Sequence, residues 1–205
     1  MLEMTEDRDR TDSAEPYGIL AIASSAGGIS ALGRVLGGLP VEFPVPVVIV
    51  QHLDPRHETI IAEVIGRRTK LPVRLAGEGD QAAAGKVYIA PPNRHLLVGV
   101  DGVMSLTSSE LVHFVRPSAD LLFESVAATY GSRSLACVLT GTGSDGTMGA
   151  SAIKSRGGTV IVEDPEMAEF KGMPESVVAS GSVDFVLPLD EIADVICGLV
   201  EAKRS

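Results

Sequence analysis

The stretch Ala21-Ile22-Ala23-Ser24-Ser25-Ala26-Gly27-Gly28 decides how the rest of the chain is read. An apolar run enters a Ser-Ser-Ala-Gly-Gly turn, and Ile29, Leu32, Val35, Leu36 and Leu39 then keep the spacing of one helix face. A small, Gly-rich turn between strand and helix presents backbone N–H groups and a serine hydroxyl at a helix N-terminus. Partial positive charge there favours an anion or an oxyanion. The turn is therefore either a phosphate cradle or a nucleophile site. Two later stretches bear on the choice: Val50-Gln51-His52-Leu53, and Thr140-Gly141-Thr142-Gly143-Ser144-Asp145-Gly146.

Working outward, residues 18–23 read as a strand buried on both faces, and Pro40, Pro44 and Pro46 separate the first helix from a β-branched strand over 45–50. Asp54-Pro55 ends that strand's exit, and Ile60, Ile61, Val64 and Ile65 predict an amphipathic helix to about Arg68. Residues 72–76, 86–90, 95–98 and 103–107 read as short strands. Pro91-Pro92-Asn93 marks a turn and Asp101-Gly102 a hairpin, which predicts a small antiparallel insert. Arg116-Pro117-Ser118 opens a helix through Leu122, Phe123, Val126 and Tyr130, followed by an apolar strand over 135–139. A helix to about Ser155, a strand over 158–162, a helix over 174–179, a strand over 185–187 and a final helix through Ile192, Ile196 and Val200 complete the pattern. The alternation predicts an α/β fold: a doubly wound, mostly parallel sheet with helices on both faces and a small antiparallel hairpin insert. Such a sheet places its site at the carboxyl ends of its strands, where Ser25, His52 and Asp145 all fall.

Composition narrows the classes. The chain has 205 residues, 45% hydrophobic and 21% charged, with 22 glycines, which suits a folded α/β domain over residues 17–205 behind a flexible acidic tail over 1–16. A formal charge of −10 without a Lys/Arg cluster argues against nucleic acid and anionic membrane as partners. Cys137 and Cys197 stand in apolar and amphipathic runs and read as small hydrophobes in a reducing compartment. No Cys/His cluster has metal-ligand spacing, so neither metal nor cofactor is expected. Without a signal peptide or an apolar run of membrane length, the reading is a cytoplasmic protein.

Acyl transfer needs a hydroxyl, an imidazole to take its proton and a carboxylate to orient the imidazole. Ser25, His52 and Asp145 supply the three groups. Each also has a plainer reading: Ser25 as a cap or phosphate-loop member, His52 as a packed histidine, Asp145 as the N-cap of the helix after it. A nucleotide-binding module is a further alternative, although the turn lacks G-x-G-x-x-G and the second strand ends in His52 where a ribose-binding acid is expected.

At these residues the sequence resembles the catalytic domain of the protein-glutamate methylesterases of bacterial chemotaxis, the CheB type. That family has an A-S-T-G-G turn with the nucleophilic serine, a Q-H-M strand end and a T-G-M-G-x-D-G loop. Here these read Ser24 to Gly28, Gln51-His52-Leu53 and Thr140 to Gly146, with Ser25 in register because it stands two residues before Gly27. Tyr88-Ile89-Ala90-Pro91-Pro92, His95, Arg116-Pro117-Ser118 with Asp120 and Phe123, and Gly172-Met173-Pro174 match as well. The resemblance implies a serine hydrolase that demethylates glutamate esters on the cytoplasmic helices of a chemoreceptor-like protein and can deamidate glutamine. It implies Ser25 as nucleophile, His52 as base and then acid, and Asp145 as the orienting carboxylate. Ala26, Gly27 and the Thr142 loop become candidates for the oxyanion hole, and Arg116 and His95 for substrate binding. Ala26, Thr142 and Val115 depart from the usual Thr, Met and His, which leaves rate and preference open. A receiver domain usual in the family has no counterpart here. Activity is then unregulated by phosphorylation, or under a separate regulatory protein, or directed at a different methyl ester; the remaining alternative is a non-enzymatic adaptor of the same fold.

Overall fold

The structure is a computed structural model that describes residues 15–53 and 59–204. Nine strands and six α-helices alternate among the described residues: β1 (Ile19–Ser24), α1 (Gly28–Gly38), β2 (Val47–Gln51), α2 (Ile61–Gly66), β3 (Val73–Leu75), β4 (Val87–Ile89), β5 (His95–Val98), β6 (Met104–Thr107), α3 (Ala119–Tyr130), β7 (Ser134–Val138), α4 (Thr147–Ser155), β8 (Thr159–Glu163), α5 (Gly172–Ala179), β9 (Phe185–Leu187) and α6 (Leu189–Ala202). Seven strands form one parallel sheet in the order β3-β4-β2-β1-β7-β8-β9, and β5 and β6 form a separate antiparallel pair.

Side chains alternate across the pleat, so each central strand feeds two cores. Leu20, Ile22, Val47, Ile49, Leu135 and Cys137 join Leu32, Leu36, Ile65, Ile192 and Ile196 on the face covered by α1, α2 and α6. Ile19, Ala21, Ala23, Val48, Ala136 and Val138 join Phe123, Val126, Ala150, Met173 and Val177 on the face covered by α3, α4 and α5. These side chains are buried, and a fully buried Leu or Ile contributes roughly 1.5–3 kcal/mol. Cys137 is buried and Cys197 half-buried, and both are free thiols.

From β1 the chain winds towards β2, and from β7 it winds the other way towards β8 and β9. The boundary between β1 and β7 is thus the point where the winding reverses, and a crevice opens there beyond the carboxyl ends. The hairpin turns where expected, with Asp101 at φ 56 and Gly102 at φ 75. The expected small antiparallel insert is the β5–β6 pair, while Val73–Leu75 and Val87–Ile89 pair in parallel with each other and β4 pairs with β2, extending the main sheet. Of the expected tail, residues 1–14 lie outside the described residues, as do Asp54-Pro55 and His57; Pro16 accepts a hydrogen bond from Arg133 Nε at 3.2 Å. No helix among the described residues is long and apolar enough to cross a membrane. No group of three or more His, Cys, Asp or Glu among them could hold a metal ion.

Candidate active site

Three neighbouring strands deliver the sequence-predicted residues to one place. Ser25 follows β1, His52 follows β2, and Asp145 stands in the loop between β7 and α4. His52 Nδ1 lies 3.1 Å from Ser25 Oγ, and His52 Nε2 lies 2.8 Å from Asp145 Oδ2. A carboxylate only accepts, so Nε2 carries the proton and donates to Asp145, which leaves Nδ1 as the acceptor for the Ser25 hydroxyl. The imidazole therefore presents an available lone pair to Ser25.

The Ser25 turn is held from both sides. Ser25 N–H donates to the Thr140 carbonyl at 3.0 Å, and Thr140 Oγ1 donates to the Ala26 carbonyl at 3.1 Å. Thr140 N–H in turn donates to Glu163 Oε2 at 2.7 Å. Burial pushes the Glu163 carboxyl above its ordinary pKa, the Thr140 N–H and Arg34 pull it back, and Glu169 raises it further. Ser24 is fully buried, and its hydroxyl donates to Gln51 Oε1 at 2.7 Å. Gln51 Nε2 donates to the carbonyls of Ser25 and His52, at 2.8 and 2.9 Å. One amide thus fixes the residues on both sides of the Ser25–His52 contact, and Ser24 is excluded as the exposed hydroxyl. Gly27 adopts φ 75, where a side chain would be strained, and Gly141 passes so close to Ser25 and Met173 that a Cβ would lie 2.8 Å from Ser25 Cβ and 2.4 Å from Met173 Sδ.

Asp145 does not cap its own helix, whose N-cap is Gly146. It reaches across to α3, where Oδ2 accepts from Ala119 N–H at 2.6 Å and Oδ1 accepts from Ser118 Oγ at 2.8 Å and Asp120 N–H at 3.1 Å. Asp120 returns the contact: its Oδ1 accepts from Gly146 and Gly149 N–H at the start of α4, at 3.0 and 2.8 Å. Each helix N-terminus is thereby satisfied by a carboxylate from the other helix's end, and the dipoles favour both charges. Burial alone would raise the pKa of Asp145, but the bonds from His52, Ala119, Asp120 and Ser118 outweigh it and hold the group below the ordinary carboxylate value. Asp120 goes the other way: burial raises it, the Gly149 N–H opposes, the charge of Asp145 raises it again, and His113 and the Gly146 N–H lower it. Two adjacent carboxyls are pushed apart, with Asp145 kept ionised beside the imidazole.

Two grooves meet at His52 and Leu53. One of about 300 Å³ runs along Ser25, Gly27, Gly28 and Ser30, and one of about 360 Å³ runs along Asn93, Leu111, Phe114, Val115 and Arg116. A larger hollow of about 700 Å³, beside Gly18, Tyr130 and Arg133, lies at the opposite ends of the strands and holds none of these residues. The N–H groups of Ala26, Gly27 and Thr142 have no acceptor among the described residues, and Thr142 is exposed. Arg116 does border the groove, but its guanidinium already donates to Asn93 Oδ1 and to the carbonyls of Ser108 and Ser109. It braces the loop. His95 is fully buried; Nε2 donates to the Glu110 carbonyl at 3.0 Å and Nδ1 accepts from Ser118 N–H at 3.1 Å. Its substrate-binding reading is corrected on that ground: both ring nitrogens are engaged and no face is open to a ligand. His113 is half-exposed against Asp120. The residues that sequence reasoning left without a role are Gln51, Ser118, Asp120 and Glu163; Gln51, Ser118 and Asp120 stand in the stretches that carry the family resemblance, Ser118 also has the local signal of an N-cap, and Glu163 has none.

The CheB methylesterase family model matches residues 20–196. A Leptospira interrogans protein assigned by name to protein-glutamate methylesterase and protein-glutamine glutaminase activity is 39% identical over 183 residues, covering 89% of this chain and 95% of the relative. The protein-glutamate methylesterase/protein-glutamine glutaminase 1 of Paramagnetospirillum magneticum is 42% identical over 95% of this chain, which spans 52% of that relative's length. Among solved structures, the CheB methylesterase catalytic domain of Thermotoga maritima superposes with a TM-score of 0.85 at 38% identity, over 91% of this chain and 98% of that one. With fold, strand-end site and sequence in agreement, the chain belongs to the CheB methylesterase family.

Proposed function

We propose that this chain hydrolyses glutamate methyl esters on the cytoplasmic helical segment of a chemoreceptor-like protein and deamidates glutamine at the same site. The observation that carries the reading is the hydrogen-bonded row Ser25, His52, Asp145 at three adjacent strand ends, at 3.1 and 2.8 Å, in a member of this family. His52 Nδ1 takes the Ser25 proton as Oγ attacks the ester carbonyl. The tetrahedral oxyanion is met by N–H groups from Ala26 and Gly27, with the Thr142 loop beside them; one such donor is commonly worth about 2.7–4 kcal/mol. The protonated imidazole then gives its proton to the departing methoxide, methanol leaves, and a glutamyl ester remains on Ser25. Water attacks that ester with His52 again as base, releasing glutamate and restoring the hydroxyl. With glutamine the leaving group is ammonia and the second half is the same. Asp145 stabilises the imidazolium while remaining a carboxylate.

The test is methanol release from methylated chemoreceptor cytoplasmic fragments, with natural protein and Ser25→Ala side by side. Release that disappears in the variant supports the reading. No release from a folded natural protein refutes it and favours another methyl ester or a binding role.

A further inference from the structure

The loop ahead of α3 carries a tight turn that the ester chemistry does not use. Val112 and Val115 bond to each other in both directions, at 3.2 and 2.9 Å, and the two residues between them are left-handed, His113 at φ 48 and Phe114 at φ 65. Turns of this shape favour Asn-Gly, and an aromatic residue held there is strained. The strain presents Phe114 at 93% exposure on the lip of the groove that begins at His52. The turn has an anchor. Asp120 Oδ2 is buried and accepts no hydrogen bond, and facing it at 3.3 Å is His113 Nε2, at ion-pair distance without hydrogen-bond alignment. The other oxygen of the same carboxylate holds Gly146 and Gly149 N–H beside Asp145.

We propose that the His113–Phe114 turn is a specificity element for protein-borne esters, in which Phe114 packs on the helical segment carrying the ester and His113 and Asp120 act as positioning residues. This rests on the esterase reading above. The occupant follows from adjacency: both grooves share His52 and Leu53, so a polypeptide whose ester side chain reaches Ser25 lies beside the groove that Phe114 borders. Leu53, Leu111 and Val115 give that side an apolar floor suited to the flank of a helix. A free small ester would make none of these contacts.

The experiment compares kcat/KM on a methylated chemoreceptor fragment with kcat/KM on p-nitrophenyl acetate, for natural protein, Phe114→Asn, His113→Asn and Asp120→Asn. Asparagine tolerates the left-handed turn, so the first two variants remove the contact or the anchor and leave the backbone its conformation. Phe114→Asn should raise KM for the receptor fragment about tenfold, the scale of a lost interface aromatic, and lower the ratio of the two kcat/KM values by the same factor. His113→Asn should act in the same direction and add little to Phe114→Asn, because it works through that residue. Asp120→Asn, which keeps an acceptor for Gly146 and Gly149, should likewise add little to the effect of His113→Asn on KM. A Phe114→Asn protein with unchanged KM, or one losing both substrates in parallel, overturns the proposal. A natural protein inactive on the receptor fragment would instead overturn the esterase reading beneath it.

Discussion

Asp145→Asn separates an orienting carboxylate from a structural one, because the four donors around Asp145 cannot all be satisfied by an amide. The carboxylate accepts from His52 Nε2 and Ala119 N–H on one oxygen and from Ser118 Oγ and Asp120 N–H on the other. If the amide nitrogen takes the first position, it faces two donors. Ala119 N–H is orphaned, and the imidazole must move its proton to Nδ1, where it points at Ser25 and cannot accept; the wrong tautomer costs about 10⁴ in kcat in the serine-protease template. If the nitrogen takes the second position, Asp120 N–H is orphaned and His52 keeps its tautomer but loses the negative charge opposite the imidazolium, a charged hydrogen bond of about 1.5–3 kcal/mol. Either way kcat falls by about tenfold at the least, and up to about 10⁴-fold. One buried N–H without an acceptor lowers stability by about 1–3 kcal/mol. The sign with pH follows from the depressed pKa of Asp145: its contribution is present above the ordinary carboxylate value of about 3.9 and is lost as pH falls through the lower folded value. The assay is methanol release together with urea unfolding from neutral to acid pH. A variant that keeps nearly full kcat, or one whose stability deficit does not shrink in acid, would refute the reasoning.

Three further outcomes are expected. Ser118→Ala removes the 2.8 Å hydroxyl bond to Asp145 and should lower unfolding free energy by about 1.5–3 kcal/mol in denaturant titration, with kcat reduced and KM little changed. Gly141→Ala drives a Cβ against Met173 and Ser25 and should cost about 1–3 kcal/mol by overpacking, with a loss of methanol release larger than the thermal shift alone explains. Glu163→Gln keeps an acceptor for Thr140 N–H but removes a charge that burial disfavours. Because the folded pKa is raised, the unfolded chain loses its proton first, so natural-protein stability relative to the variant should fall as pH rises from about 4.3 through the folded value, as read by pH-resolved thermal unfolding.

The sheet core was legible because β1, β2, β7 and β8 are continuous apolar runs, buried on both faces, with Gly or Pro near their ends. The edge was less so. Val73–Leu75 and Val87–Ile89 are three residues each, too short for a period to show, and their parallel pairing depends on β2, which lies far away in sequence. Ser25, His52 and Asp145 could be picked out because strand ends are readable and the chemistry restricts the residue types. The interleaving around them could not. Asp145 before Gly146 looks like a local N-cap, and only the packing of α3 on α4 turns it outward; Arg116 and His95 look like ligand residues until their partners at Asn93, Ser108, Ser109, Glu110 and Ser118 are known.

On the proposed mechanism, the exchange of carboxylates between α3 and α4 also sets when activity can arise. Neither helix carries a side-chain cap on its own N-cap residue, so neither start is secured until the other has been made. On a ribosome Ser25 and His52 emerge early, while Asp145, and Gly149 that fixes its partner Asp120, come 93 and 97 residues after His52 (145 − 52 and 149 − 52). On that mechanism a nascent chain holds Ser25 and His52 before the carboxylate that orients His52 has been made. Hydrolytic competence then follows only once α3 and α4 have packed together on one face of the sheet.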